Sequence, residues 1–232
     1  NADQTYARVA FFPSDNFLNV LPLFHAFSFT GNFLLPLRAG GCVSFVRSLR
    51  TIADDMLEVH PTVLLAVPLL AEKLYQRIEG GIRKSLVASG LMKFGLSRKL
   101  VVHKVMERFG GRMRVIGIGG APTGRETLRG LRSLGLMVLE GYGITECAPG
   151  VCYPDPATYR IGYVGPVLPG MEYRIVDPDE TGAGELYVKG PNVTKGYWNN
   201  PEQTTAAFTD DGFYKTGDIV RADSDGNVQI CG

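Results

Sequence analysis

Residues 141–146, Gly-Tyr-Gly-Ile-Thr-Glu, combine the groups that a nucleotide-binding loop needs. The glycines Gly141 and Gly143 allow the backbone to approach a phosphate or a sugar closely. Tyr142 offers a flat face on which a purine can stack, and Thr145 offers a hydroxyl for a phosphate oxygen. Glu146 supplies a hard carboxylate of the kind that holds Mg²⁺. The same six residues also fit a strand-to-helix turn with an N-cap threonine and an acidic first turn, and alone they do not decide between the two.

A second candidate group is the carboxylate of Asp218, in the stretch Tyr214-Lys215-Thr216-Gly217-Asp218. An aspartate just past a tight glycine turn can accept two hydrogen bonds from the 2′- and 3′-hydroxyls of a ribose. Charged acceptors make the stronger hydrogen bonds. Because Thr-Gly-Asp is also an ordinary turn, this stretch is weak evidence by itself.

The third candidate is His25, the single histidine of an aromatic, uncharged segment, residues 21–30. One interpretation is a core histidine whose ring nitrogen has a partner. The other is a histidine at the wall of an apolar substrate pocket, where its polar tip orients a carboxylate.

The elements that must position these groups alternate between strand and helix in the first part of the chain. The pattern predicts a strand from Val9 to Phe12, strands at 42–46, 62–67, 115–118 and 136–140, and helices at 51–60, 68–78 and 123–133, the last opened by a capping box at Thr123 and Glu126. Such a pattern predicts an α/β fold, a parallel sheet with right-handed crossover helices. Residues 119–122 and 141–146 each follow a predicted strand, at the edge where open α/β sheets bind ligands.

After Pro154 the pattern changes to short β-rich runs between Gly, Pro and Asp turns. It predicts strands at 172–176, 185–189 and 227–230, hairpin turns at residues 211–212 and 225–226, and a short helix from Asn200 to Phe208. We expect a small antiparallel β-barrel or sandwich here. The boundary falls near Gly165, which gives an α/β subdomain at 1–165 and a β-barrel subdomain at 166–232.

Composition narrows the class of protein. The chain has 232 residues and a net charge of +1, which argues against nucleic acid as a partner. The four cysteines lack metal-ligand spacing and are typical of reduced thiols, and the sequence shows no signal peptide, so a cytoplasmic location is expected.

Two segments bear on membranes. Residues 16–37 carry no Asp, Glu, Lys or Arg, but their prolines and asparagines favour a buried loop and helix over a membrane span. Between Glu72 and Arg114 eleven basic residues face three acidic ones. This 73–114 region fits a solvated helical face over a core stripe. The alternative is a peripheral contact with anionic lipid at the inner face of a membrane.

Four stretches, in this order, resemble the adenylate-forming superfamily of acyl-CoA synthetases, adenylating luciferases and peptide-synthetase adenylation domains. They are Leu23-Phe24-His25-Ala26-Phe27, residues 141–146, residues 184–190 leading to Gly196-Tyr197-Trp198, and Tyr214-Lys215-Thr216-Gly217-Asp218. The resemblance covers essentially the whole chain, and the last three stretches are specific in combination.

The resemblance implies a reaction in which a carboxylate attacks the α-phosphorus of ATP, giving an acyl-adenylate and pyrophosphate, before a thiol such as that of CoA takes the acyl group. It implies that Tyr142 stacks on adenine, Thr145 bonds the α-phosphate, Glu146 holds Mg²⁺ and Asp218 binds the ribose. His25 would stand near the acyl carboxylate and the route of the thiol. The nucleotide would also touch the two Gly-containing loops: Gly119, Gly120, Ala121 and Pro122, and Gly141 and Gly143.

The resemblance to the adenylate-forming superfamily also indicates which class of acid is the substrate. Amino-acid-activating relatives usually carry an Asp at the position of His25, so a fatty or aryl acid is favoured over an amino acid. Residues 67–74 and the basic stretch after them look most like long-chain fatty acyl-CoA synthetases. Alternatives are transfer to a carrier protein or a lysophospholipid instead of CoA, and a nucleotide-binding module without catalysis.

The family's Ser/Thr/Gly-rich phosphate loop is expected before the His25 segment, and its small domain with a catalytic Lys after residue 232. Neither is in the sequence. We therefore expect this chain to be the central piece of a longer protein's large N-terminal domain, and to be unable to make an acyl-adenylate alone.

Overall fold

The chain forms two compact units, one of residues Phe11–Leu139 and one of Asn1–Ala10 with Glu140–Gly232. We call them the parallel-sheet unit and the antiparallel unit. The computed structural model describes residues 1–84 and 95–232, without the side chains of residues 83, 84 and 95–101. Helix α1 (Ala2–Arg8) opens the chain and belongs to the antiparallel unit.

The parallel-sheet unit is built on five strands in the order β2-β1-β3-β4-β5. The strands are β1 Asn16–Asn19, β2 Cys42–Phe45, β3 Val63–Ala66, β4 Val115–Ile118 and β5 Val138–Glu140. β1 pairs in parallel with β2 and β3, and β3 pairs in parallel with β4. β3 and β4 are buried along their whole length, as parallel strands with unbroken apolar sequence should be. The predicted parallel sheet is confirmed.

Helices connect these strands. They are α2 Ala26–Ser28, a π-helical segment Phe29–Leu34, α3 Leu35–Ala39, α4 Ile52–Val59, α5 Pro68–Lys84, α6 Gly95–Arg108 and α7 Arg125–Ser133. Pro68 starts α5 as predicted, because a first-turn residue needs no N–H donor. Gly130 lets α7 approach α5 closely, since a Cβ there would lie 2.2 Å from the Tyr75 ring.

A buried carboxylate fixes the entrance to β1. Asp15 is 3% exposed and forms an ion pair with Arg114. It also accepts hydrogen bonds from Thr62 Oγ1 at 2.7 Å and from the backbone N–H of Phe12 at 2.8 Å. Burial acts to raise the pKa of the Asp15 carboxyl, but these hydrogen bonds and the Arg114 charge outweigh it and hold the pKa below its ordinary value.

The antiparallel unit contains a two-stranded and a four-stranded sheet. β6 (Tyr142–Gly143) pairs with β7 (Gly150–Cys152), and the larger sheet has the order β11-β10-β9-β8. Its strands are β8 Glu172–Val176, β9 Gly184–Lys189, β10 Tyr214–Ala222 and β11 Val228–Ile230, paired antiparallel as predicted. Helix α8 (Pro201–Ala207) starts where expected, because Asn200 Oδ1 accepts from the Gln203 N–H at 3.1 Å.

The boundary between the units differs from the one placed near Gly165. β6 and β7 pair with each other, and Cys147, Val151 and Cys152 share one buried cluster with residues of β9, β10 and β11. The contacts therefore group everything from Glu140 onward with the antiparallel sheet.

Two local predictions are wrong. The expected strand from Val9 to Phe12 is absent from this described stretch; the chain there leaves α1 at Val9, and the first strand is β1. Phe11 is buried through its side chain, which lies 5.3 Å from the Phe17 ring, so its apolar character reflects packing rather than pairing. The capping box is the other error, because the N-cap of α7 is Gly124, which has no side chain with which to cap the helix.

Residues 16–37 hold β1, α2, the π-helical segment and the start of α3. The helical part of the prediction agrees with this, but the segment also contains a strand and is not buried throughout, since Phe24 is 93% and Leu37 is 59% exposed. Across the ranges 1–84 and 95–232, no helix combines the length and apolar character that crossing a bilayer requires.

Candidate active site

The Tyr142 loop (residues 141–146) starts as a tight hairpin. Tyr142 pairs with Cys152, and Gly143 pairs with Gly150. A Cβ at Gly141 would lie 2.8 Å from the Tyr153 ring, and one at Gly143 would lie 2.3 Å from the Pro149 carbonyl oxygen. Packing within the hairpin therefore explains why both positions are glycine, whether or not a ligand binds.

The hairpin leads into a single 3₁₀ turn, Thr145–Cys147. Its N-cap is Ile144, which makes no side-chain capping bond, so Thr145 is not the N-cap of a following helix. Thr145 is exposed and Glu146 is partly exposed. The turn closes through the N–H of Ala148, which donates to the Thr145 carbonyl at 3.2 Å. Both candidate side chains thus lie on a short, hydrogen-bonded turn.

Asp218 lies in an irregularity of β10. The register between β9 and β10 shifts between Lys215 and Ile219, and Gly217 within it has φ +76°. Such bulges change the direction of a side chain next to a site. The bulge is tied down because Thr216 Oγ1 donates to the Leu186 carbonyl at 2.7 Å and accepts from the Asp218 N–H at 3.1 Å.

The structure brings Tyr142 and Asp218 into direct contact. The Tyr142 hydroxyl donates to Asp218 Oδ2 across 76 positions of sequence. Burial first, and then the neighbouring Asp218 carboxylate, raise the pKa of Tyr142, so the hydroxyl stays protonated and remains a donor. Tyr142 packs on the buried cluster of the antiparallel unit and stays partly exposed. The Tyr142 ring and the Asp218 carboxylate therefore lie next to each other in the antiparallel unit.

Glu146 has partners that the sequence did not reveal. Tyr197 donates from its hydroxyl to Glu146 Oε1 at 2.9 Å, and the Tyr214 hydroxyl lies 3.0 Å from that of Tyr197. The N–H of Thr194 donates to the Glu146 carbonyl, and Asn192 Nδ2 donates to the Cys147 carbonyl, each at 2.7 Å. The stretch Gly196-Tyr197-Trp198 is part of the family resemblance, but no function was assigned to Tyr197 from the sequence.

These residues fit Mg²⁺ only in company with a nucleotide. Among the residues that the structure describes, no group of three or more His, Cys, Asp or Glu side chains could hold a metal ion. Glu146 provides one carboxylate, with Oε1 already engaged by Tyr197. Mg²⁺ is commonly bound by one or two carboxylates together with substrate phosphates and water. The donor set suits that arrangement and not an all-protein metal site.

His25 belongs to the parallel-sheet unit. It is exposed, so the interpretation as a core histidine is wrong. It is the N-cap of α2, and its Nδ1 accepts from the Phe27 N–H at 3.2 Å. In the neutral ring Nε2 therefore carries the proton and is available as a donor. The neighbouring Phe24 is 93% exposed.

The loop of residues 119–122 belongs to the same unit and follows β4. Gly119 is buried and donates its N–H to the Ala66 carbonyl at 3.2 Å, whereas Gly120, Ala121 and Pro122 are exposed. Gly120 has φ +89°, a conformation that favours glycine. Because β1 and β4 lie in one parallel sheet, this loop and the His25 segment leave the same edge of it.

Part of the basic 73–114 region, residues 85–94, lies outside the described residues, as do the side chains of residues 83–101. At the end of α6, Lys104 and Arg108 are exposed, while Val105 and the following residue Phe109 are buried, as in a solvated face over a core stripe. The membrane contact stays a prediction.

Comparison with known proteins gives matches over most of the chain. The family model described as AMP-binding enzyme matches residues 1–198. Long-chain-fatty-acid–CoA ligase 1 of Homo sapiens is 33% identical over 242 residues, 94% of this chain and 34% of that relative. Long-chain-fatty-acid–CoA ligase FadD15 of Mycobacterium bovis is 34% identical over 214 residues, 82% of this chain and 35% of that relative. The chain thus spans about a third of the length of these relatives.

Solved structures give a similar result. ATP-bound MatB from Rhodopseudomonas palustris matches with a TM-score of 0.79 and 33% identity, over 100% of this chain and 42% of that one. A malonyl-CoA ligase in a ternary product complex with methylmalonyl-CoA and AMP has a TM-score of 0.79 and 29% identity, over 100% of this chain and 46% of that one.

Proposed function

The chain belongs to the family of AMP-binding enzymes, and on that premise we propose that the protein is an ATP-dependent acid–thiol ligase that activates a long-chain fatty acid. The observation that carries the proposal is the contact between Tyr142 and Asp218. It joins the two groups that the resemblance assigns to the base and the sugar of one nucleotide.

The geometry supports binding of the AMP portion of ATP. The Tyr142 hydroxyl is occupied by Asp218 Oδ2, so the ring face is the part of Tyr142 that remains for adenine. The contact uses one oxygen of Asp218, and a partly exposed carboxylate can accept further bonds from ribose hydroxyls. Thr145 and Glu146 lie on the turn that continues the same loop, and they are assigned to the α-phosphate and to Mg²⁺.

The reaction needs positioning more than a protein nucleophile. A carboxylate oxygen of the acid forms a bond to the α-phosphorus of ATP while the bond to pyrophosphate breaks. The thiolate of CoA then attacks the acyl carbon, and AMP leaves. Bound Mg²⁺ would neutralise phosphate charge, and Glu146 is the residue that would hold it. The Nε2–H of His25 is assigned to the acyl carboxylate as a hydrogen-bond donor, a role that stays a prediction together with those of residues 119–122.

The choice of a fatty acid is supported by the curated relatives, which are long-chain ligases matched over 94% and 82% of this chain. The presence of His25 in place of an ammonium-binding aspartate also disfavours an amino acid. A deep apolar pocket adds about 0.8 kcal/mol for each CH₂ that it buries, or about fourfold in binding.

The test is an assay of the full-length protein with ATP, Mg²⁺, CoA and straight-chain acids of increasing length, with release of pyrophosphate and acyl-CoA as readouts. We expect kcat/KM to rise about fourfold per CH₂ until the pocket is filled. A maximum at acetate, malonate or benzoate would exclude the fatty-acid assignment. Failure to release pyrophosphate with any acid would exclude the activity itself.

A further inference from the structure

Three residues of the stretch 192–197 form hydrogen bonds to the turn Thr145–Cys147. Two of these bonds go to the backbone of the turn, and the third goes to the side chain of Glu146. Asn192 and Thr194 bind backbone carbonyls of the turn, which fixes its path. Tyr197 binds the side chain of Glu146. This third contact adds nothing to the backbone of the turn, so it orients the carboxylate itself.

The hydroxyls of Tyr197 and Tyr214 form a directed chain. A carboxylate only accepts, so the single proton of Tyr197 goes to Glu146 Oε1. With that proton directed to Glu146, the Tyr197 oxygen is left to accept from Tyr214, whose hydroxyl lies 3.0 Å away. Tyr214 also interacts directly with the Glu146 side chain. Tyr214 is 6% exposed, so its hydroxyl is held within the packed interior of the antiparallel unit. Both hydroxyl dipoles therefore point toward Glu146, and each strengthens the other.

Tyr197 is itself fixed at its backbone. Its N–H donates to Thr204 Oγ1 at 2.9 Å, and Thr204 Oγ1 in turn donates to the Asn200 carbonyl at 2.8 Å. The preceding Gly196 allows this approach, since a Cβ there would lie 2.5 Å from Thr204 Cγ2. An aromatic side chain anchored at its backbone and its hydroxyl holds Glu146 with little freedom.

We propose that Tyr197, supported by Tyr214, is a positioning residue that holds Glu146 Oε1 and so presents Oε2 to a Mg²⁺ ion carried by the phosphates of the nucleotide. The proposal rests on the proposed function, because it takes Glu146 as the magnesium ligand. Residues that orient a metal ligand typically change metal affinity or activity by about 10–100-fold when they are replaced.

The experiment measures binding and not turnover. α,β-Methylene-ATP is titrated by calorimetry at a series of Mg²⁺ concentrations, and AMP is titrated in EDTA. For Tyr197→Phe we expect the Mg²⁺ concentration at half-maximal effect to rise about tenfold or more, while AMP affinity in EDTA stays within about twofold of the parent. Tyr214→Phe should shift the Mg²⁺ midpoint in the same direction by a smaller factor, and it carries the test if Tyr197→Phe does not fold.

Two further variants make the outcomes separable. Tyr173→Phe removes the hydroxyl of a tyrosine in β8 that is 38% exposed, and it should match the parent. Glu146→Gln should abolish the Mg²⁺ dependence. If Glu146→Gln does so and Tyr197→Phe keeps the parent midpoint, the inference alone is wrong. If Tyr197→Phe weakens AMP in EDTA as much as it shifts the Mg²⁺ midpoint, its role is merely structural and the inference is again overturned. If Glu146→Gln keeps the Mg²⁺ dependence, the assigned role of Glu146 fails, and the inference with it.

Discussion

At the scale of single residues, the Tyr142–Asp218 contact brings together two stretches that lie 76 positions apart in the sequence. Neither Gly-Tyr-Gly nor Thr-Gly-Asp is specific alone, and the sequence gives no distance between positions 142 and 218. The order of these stretches along the chain matches a family pattern, and from that match we expected Tyr142 and Asp218 to bind the same nucleotide. The hydrogen bond from the Tyr142 hydroxyl to Asp218 was not expected, because the sequence-based role of Tyr142 used only its ring.

That hydrogen bond gives a prediction for Tyr142. Tyr142→Phe keeps the ring but leaves Asp218 without the donor that positions its carboxylate, and we expect AMP affinity to fall by about three- to tenfold because the carboxylate is then less well oriented for the ribose. Tyr142→Ala also removes the stacking face and should cost about 1–3 kcal/mol more. Calorimetry of AMP with both variants is the measurement. Parent-like affinity in Tyr142→Ala would show that no base stacks there.

Asp15 gives a prediction about acid stability. Its folded-state pKa lies below the ordinary value, so the unfolded chain binds more protons between the two pKa values. The contribution of Asp15 to the free energy of unfolding is therefore complete above about pH 3.9 and is lost as pH falls through the folded-state pKa. We expect Asp15→Asn to lower the free energy of unfolding by about 2 kcal/mol at neutral pH, the value of hydrogen bonds to a charged group.

Urea unfolding at several pH values between 7 and 3 measures this effect. The difference between the parent and Asp15→Asn should shrink as the pH falls below about 4. Asp54→Asn, at an exposed position of α4, serves as the control and should change the free energy of unfolding by less than about 0.5 kcal/mol. A difference for Asp15→Asn that stays constant down to pH 3 would mean that shape, and not charge, stabilises this position.

At the scale of elements, strands and helices with strong periodicity were predictable, and the irregular pieces were not. β4 and β8 appear where the pattern put them, because four or five consecutive apolar or alternating residues specify a strand. The segment around Phe11 was mistaken for a strand because apolar character alone does not distinguish pairing from packing. The bulge in β10 was invisible, since its signal, Gly217, is shared by any tight turn.

The bulge supports a prediction with a matched control. Gly217 has φ +76° and Gly226 has φ +78°, and a Cβ at either would meet nothing within 4 Å. Gly217→Ala and Gly226→Ala should each lower the free energy of unfolding by about 1–2 kcal/mol, the cost of left-handed backbone for an L-residue. Only Gly217→Ala should also weaken AMP binding, because it moves Asp218. If Gly217→Ala lost as much stability as Gly226→Ala but kept the AMP affinity of the parent, the bulge would have no role in positioning Asp218 for the nucleotide.

At the scale of the whole molecule, the kinds of sheet were predictable and the division of the chain was not. The sequence pattern changes after Pro154, where helical periodicity ends. The compact units, in contrast, are determined by which side chains share a hydrophobic core. Tyr142, Glu146, Tyr197 and Asp218 all fall within the antiparallel unit. The partners of Glu146 were missed for the same reason. Tyr197 and Tyr214 are far from Glu146 in sequence, and they come close because residues 192–197 are hydrogen-bonded to the 3₁₀ turn and Tyr214 begins β10 beside them.

The central claim is that the Asp218 carboxylate binds the ribose of AMP, and calorimetry with AMP and 2′,3′-dideoxy-AMP tests it most directly. In the parent chain, loss of the two hydroxyls should weaken binding by about 10–100-fold, the range for hydrogen bonds to a charged acceptor. In Asp218→Ala the two nucleotides should bind with nearly equal, weak affinity, while the exposed-site control Asp210→Ala should behave as the parent does. If Asp218→Ala still prefers AMP over the dideoxy nucleotide by the full parent factor, the ribose is bound elsewhere and the account is contradicted.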